Sequence, residues 1–141
     1  MKILKSAFAL TLVLFMASSC KNDTKPSANE KSQMQEVLAI HDEVMPKMGT
    51  IGKLTSQMDA KIKETDSVEI FVRANEDLKT AHKGMMDWMI NFGDAFDSDE
   101  IMKGKTLTEE KQKLLDAEET KIKTVRDQIN TSIQNAEKLL K

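Results

Sequence analysis

Both histidines of this 141-residue chain lie in methionine-rich segments of mirrored spacing, His41-x3-Met45-x2-Met48 and His82-x2-Met85-x3-Met89. On a helix, positions i, i+4 and i+7 share a face, as do i, i+3 and i+7. If the two segments lie on antiparallel helices joined by a turn near Thr65, His41 faces Met89, Met45 faces Met85, and Met48 faces His82, because the residue numbers of each pair add to the same total. Imidazole and thioether ligands select soft monovalent ions, Cu(I) or Ag(I). Zinc prefers thiolates or carboxylates, and neither lies on these faces. Trp88 sits beside the second segment, where an indole face would add a cation–π contact. The competing reading is plain packing, since methionine is a common filler of helical seams and a seam histidine can be a neutral core residue. A b-type haem held by His and Met requires a wide apolar pocket, which such narrow seams do not offer.

Little else in the chain points to chemistry. No nucleophile–base pairing, phosphate-binding glycine loop or zinc motif is present, so an enzyme is not expected. The acidic run Asp94–Glu100 lacks the spacing of a calcium loop. Asp42, Glu43 and Asp87 flank the candidate ligands but belong to a solvated face. Aromatics make up 4% of the chain and no basic face dominates, which argues against nucleic acid as a partner.

The elements that would position the His/Met faces are helices. Two capping-box patterns, Ser27-x-x-Glu30 and Ser32-x-x-Gln35, open the first. Its apolar positions run Met34, Leu38, His41, Met45, Met48 and Gly52, widened by Val37, Ile40, Val44, Ile51, Leu54, Met58 and Ile62. Pro46 removes a backbone donor and predicts a kink, with Gly49 and Gly52 allowing close approach. The period lapses over Lys63–Ser67, and Asp66-x-x-Glu69 opens the second helix. Its seam reads Phe71, Asn75, Leu78, His82, Met85, Met89, Phe92 and Phe96, which predicts that His82 points inward. Gly84 is expected to serve close packing. Gly93 and the acidic run end that helix, and Ile101–Met102 form a short turn of helix before Gly104. Thr106-x-x-Glu109 opens the last helix, where Leu115, Ile122, Ile129 and Ala136 recur every seven residues and Glu109–Lys113 and Glu119–Lys123 form i,i+4 pairs. No strand-like run occurs. The expected fold is all-α, an elongated, coiled-coil-like up-down-up bundle of three long helices with a short helix in the second connection.

The N-terminus reads as an address. Lys2 and Lys5 precede a short apolar run, Ala7–Met16, too short to span a bilayer, and then Ala17-Ser18-Ser19-Cys20. This ending resembles the lipobox of bacterial lipoproteins, although Ala17 stands where a large aliphatic residue is usual. The resemblance implies acylation of Cys20, cleavage just before it, and stable anchoring through several acyl chains. The expected organisation is a signal peptide over 1–19, the lipidated Cys20 with a polar, flexible tether over 20–30, and a helical-bundle domain over 31–141. Cys20 is the only cysteine, so the bundle has no disulfide. Without Lys2 and Lys5 the 21 basic residues fall to 19, against 23 acidic ones, for a net charge of −4.

The segments Ile40–Gly49 and Ala81–Met89, with the lipobox and the closing coiled-coil-like helix, resemble a group of small Gram-negative envelope lipoproteins labelled "viral A-type inclusion protein". That label reflects generic coiled-coil similarity. The resemblance implies a helical architecture and attachment to the cell envelope of a Gram-negative bacterium, at the outer membrane, and it carries over no catalytic residue. The expected role is a non-enzymatic binding or scaffold module, its partner an envelope protein or a second copy. The alternative is Cu(I)/Ag(I) binding by His41, Met45, Met48, His82, Met85 and Met89.

Overall fold

The computed structural model of the protein describes residues 32–66 and 68–141. The signal peptide, Cys20, the tether and the Ser27 capping pattern lie outside the described residues. Five helices follow one another: α1 (Gln33–Val44), α2 (Lys47–Glu64), α3 (Glu69–Ala95), α4 (Ser98–Lys103) and α5 (Glu109–Leu139). Among the described residues there is no strand.

Of the two capping patterns predicted for the first helix, Ser32-x-x-Gln35 forms a complete box. The Ser32 hydroxyl accepts from the Gln35 N–H, and the Gln35 carboxamide oxygen accepts from the Ser32 N–H. Two backbone donors that a helix start leaves orphaned are thereby satisfied. The helix then breaks at Met45–Pro46, because proline has no N–H for the ladder. Both residues keep right-handed helical angles. The chain therefore bends as expected of a mid-helix proline, and α1 and α2 are the two halves of one bent helix.

Two predicted caps are corrected. The first helical bond of α3 runs from the Val72 N–H to the Val68 carbonyl, so Val68 and not Asp66 occupies the cap, with no side-chain hydrogen bond. In α5 that bond runs from Gln112 to Thr108, and the Thr108 hydroxyl accepts from the Lys111 N–H. Thr106 thus lies two residues upstream of the cap it was expected to form. The helical turn expected near Ile101 is present as α4. The glycines also depart from expectation. A Cβ at Gly49 or Gly52 would meet open space, and one at Gly84 only ordinary contacts with Gln128 and Val125, so close approach does not require them.

Side-chain bonds fix the register. Gln33 donates to Asp116 at 2.9 Å and Lys47 donates to Asn130 at 2.7 Å. Both pairs are separated by 83 residues, and a constant separation means that α1–α2 runs parallel to α5. Asn75 of α3 bonds Asp59 of α2, and Trp88 of α3 bonds Glu118 of α5, so α3 runs antiparallel to both. The result is an up-down-up bundle in which α1 packs chiefly on α5 while α2 packs chiefly on α3.

The core is drawn from Met34, Val37, Val44, Ile51, Leu54 and Met58 of the bent helix, with Leu115, Ile122, Val125, Ile129 and Ala136 of α5. From α3 it takes Ala74, Leu78, Ala81, Met85, Trp88 and Phe92, spaced 4-3-4-3-4. This seam lies one residue from the predicted one at three places, with Ala74 joining Asn75 in the core, Ala81 replacing His82 and Trp88 replacing Met89. One residue is about 100° of helix rotation, enough to carry His82 from the core to the surface. The physical reason is that burying a large indole removes far more apolar area from water than burying an imidazole. Small Ala74 and Ala81 meanwhile let the neighbouring helices close over the seam.

Candidate functional site

The six candidate ligands occupy unlike environments. His41 is half-buried, its side chain 22% exposed, and its Nδ1 lies 3.0 Å from a carboxylate oxygen of Asp42. Asp42 was expected to point away from this face and instead folds back onto the ring. Met45 and Met48 are half-buried against the core, and Met89 is half-buried on α3. Met85 is fully buried within the core. His82 is exposed, which corrects its predicted inward orientation. It borders a shallow groove with Ile51, Gly52, Thr55 and Lys79. The structure therefore keeps His41, Met45 and Met48 along one face of the bent helix, while His82 turns outward from Met85 on α3.

What His41 does meet is aromatic. Its ring centroid lies 5.8 Å from that of Trp88. Trp88 stacks on Phe92 at 4.7 Å, and Phe92 meets Phe96 at 4.9 Å. Lys111 caps the far end, its ammonium 5.9 Å from the Phe96 ring centroid. These separations suit offset and tilted aromatic pairs and a cation over a ring face. The indole N–H donates to the backbone carbonyl of Glu118 at 3.3 Å, so the buried polar tip of Trp88 is satisfied. Sequence reading placed Phe92 and Phe96 in the seam but missed the column. Its signal is the i, i+4, i+8 spacing of Trp88, Phe92 and Phe96.

Two buried carboxylates also escaped the sequence. Glu100 is 5% exposed, and one of its oxygens accepts from both the Lys111 ammonium and the Asp97 N–H. The hydrogen bond from Lys111, followed by that from the Asp97 backbone, holds its carboxyl below the usual range. Asp97 is lowered likewise, first by Lys105 and then by the Glu100 N–H, and Lys105 is raised in return. Glu118 is as buried as Glu100. One of its oxygens accepts from Lys121 at 2.6 Å, while the other has no hydrogen-bond partner among the described residues. Glu118, Val125, Ser132 and Leu139 recur every seven residues, and reading that second heptad row would have placed the carboxylate inside. On the surface, the expected Glu119–Lys123 pair is present, and it lowers the Glu119 carboxyl, helped by Gln33.

Among the described residues no three His, Cys, Asp or Glu side chains gather to hold a metal ion. No helix among them is long and apolar enough to cross a membrane. Two open grooves of about 460 and 480 Å³ indent the bundle. One lies between α3 and α5, where Asp77, Thr80, Gln128 and Thr131 line it, and the other lies between α2 and the end of α5. The sequence matches no protein family, no curated protein and no solved structure.

Proposed function

We propose that the protein is a lipid-anchored lipoprotein of a Gram-negative envelope, attached at the outer membrane, whose bundle acts as a non-enzymatic binding or scaffold module. The observation that carries this reading is the placement of Cys20. It is the only cysteine, it follows a short apolar run and three small residues, and a polar stretch then leads to the Ser32 cap of the bundle. The bundle supports the second half of the reading. Its centre is filled with apolar side chains, and Asp97, Glu100 and Glu118 each pair with a lysine. Its partner is an envelope protein or a second copy of the chain. Metabolic labelling with a palmitate analogue, followed by membrane fractionation, tests the anchor. The wild type is expected to be labelled and to sediment with membranes, while Cys20→Ser is expected to be unlabelled and soluble. A wild type that stays unlabelled and soluble would overturn the proposal.

A second reading, capture of Cu(I) or Ag(I), is favoured by one observation. Asp42 engages Nδ1 of His41, which orients the imidazole as an outer-shell carboxylate does in metal sites, and Met45 and Met48 follow on the same face. On this reading, Cu(I) under reducing conditions raises the melting temperature of the wild type by mass action, and His41→Leu abolishes the shift. An unchanged melting temperature in the wild type removes the reading.

A further inference from the structure

We infer that the α4 end of the bundle rests on the lipid surface that holds Cys20, with Met102 as the contacting side chain. The inference rests on the anchor proposed above. Gln33 bonds Gln112, Asp116 and Glu119, so the start of α1 lies beside the first turns of α5. Lys111 of α5 reaches Glu100 of α4, which places α4 at that same end. The chain leaving Cys20 therefore enters the bundle where α4 sits. Eleven residues separate Cys20 from Ser32, and a segment of that length spans at most about 40 Å. The opposite end lies a whole α5 away, about 46 Å for 31 residues.

The surface at this end suits a bilayer. Met102 is 78% exposed, the highest value among the exposed large apolar side chains of the described residues. The carboxylates around it are each matched to a lysine: Asp97 to Lys105, Asp99 to Lys103, and Glu100 to Lys111. The carboxylates of the α4 turn are thus paired, and a long, flexible thioether side chain stands free of them. One methionine would not hold a free protein to a membrane. A tether makes the contact intramolecular, so a weak contact becomes populated through its effective concentration.

The test uses the acylated protein in vesicles of phosphatidylethanolamine and phosphatidylglycerol. Lipidation consumes the Cys20 thiol, so Met102→Cys and, at the far end, Lys63→Cys each offer one labelling site for an environment-sensitive fluorophore. Spin-labelled lipids are expected to quench the probe at position 102 several-fold and to leave the probe at position 63 unchanged. Equal quenching at both positions, or none at 102 in protein that floats with the vesicles, overturns the inference and leaves the anchor standing. Protein that is not acylated and does not float with the vesicles overturns both.

Discussion

At one end of the bundle Asp97 and Glu100 close a capping box, Lys105 and Lys111 pair with them, and Gly104 reverses the chain at a φ of +66°. At the other end α2 runs out into an extended Thr65, and α3 starts at Val68 with no side-chain cap. Yet the same pattern, Asp-x-x-Glu, is written at both ends, as Asp97–Glu100 and as Asp66–Glu69. The difference lies in where the first helical backbone bond falls. It joins Ile101 to Asp97 in α4, which makes Asp97 the cap. In α3 it joins Val72 to Val68, which leaves Asp66 two residues upstream. A capping residue works only from the position adjoining the first turn, so packing decides which copy of the pattern is used.

The largest expected effect tests whether the aromatic column, rather than the caps, supports the α4 end. Trp88→Ala deletes the ring that joins His41 to Phe92 and is expected to cost about 3–5 kcal/mol in urea unfolding, the range for a buried aromatic truncated to alanine. If Asp97→Ala costs as much in the Trp88→Ala background as in the wild type, cap and column act independently. A smaller cost there would show that the cap depends on the column beneath it.

Asp97→Ala itself is the next largest perturbation and is expected to lower the melting temperature by about 5 °C, as loss of a capping side chain does in a domain of this size. It also sharpens the contrast through pH. The folded pKa values of Asp97 and Glu100 lie below those of the unfolded chain. Their stabilisation is therefore fully present above the ordinary carboxylate range and is lost as pH falls through the lower, folded values. Melting temperatures recorded from neutral to acid pH should fall less steeply for Asp97→Ala than for the wild type. Parallel profiles would detach the α4 carboxylates from acid stability. The smallest effect belongs to the opposite end, where Asp66→Ala is expected to change unfolding free energy by less than about 0.5 kcal/mol. A loss as large as that of Asp97→Ala would erase the distinction between the two ends.

The order of the elements was legible because it rests on strong local signals: Pro46 for the bend, the lapse of period after Ile62, and the heptad run of α5. The rotation of α3 was not. Two seams, one through His82 and Met89 and one through Ala81 and Trp88, fit the same 3–4 spacing, and alanine adds little to an apolar count. What separates them is the shape of the facing helices, which local periodicity does not encode. The candidate metal faces depended on that rotation, which leaves His82 exposed rather than in the seam. The aromatic column follows from the same rotation, because only the seam through Trp88 turns the indole toward His41.

The constant 83-residue separation between α1–α2 and α5 also sets an order of events in time. Helices α2 and α3 are chain neighbours that meet by closing a short loop, and only the connection carrying α4 separates α3 from α5. α1 docks chiefly on α5, and that closure waits until nearly the whole domain has formed between them. α1 is only 12 residues long, and the proline bend interrupts its ladder from α2. It should therefore be the last helix to dock during folding and the first to open in the native state. Amide hydrogens of α1 exchanging faster than those in the centres of α3 and α5 would be the sign of it. If Cys20 is the anchor proposed above, a pull on it would reach this helix before the helices it packs on.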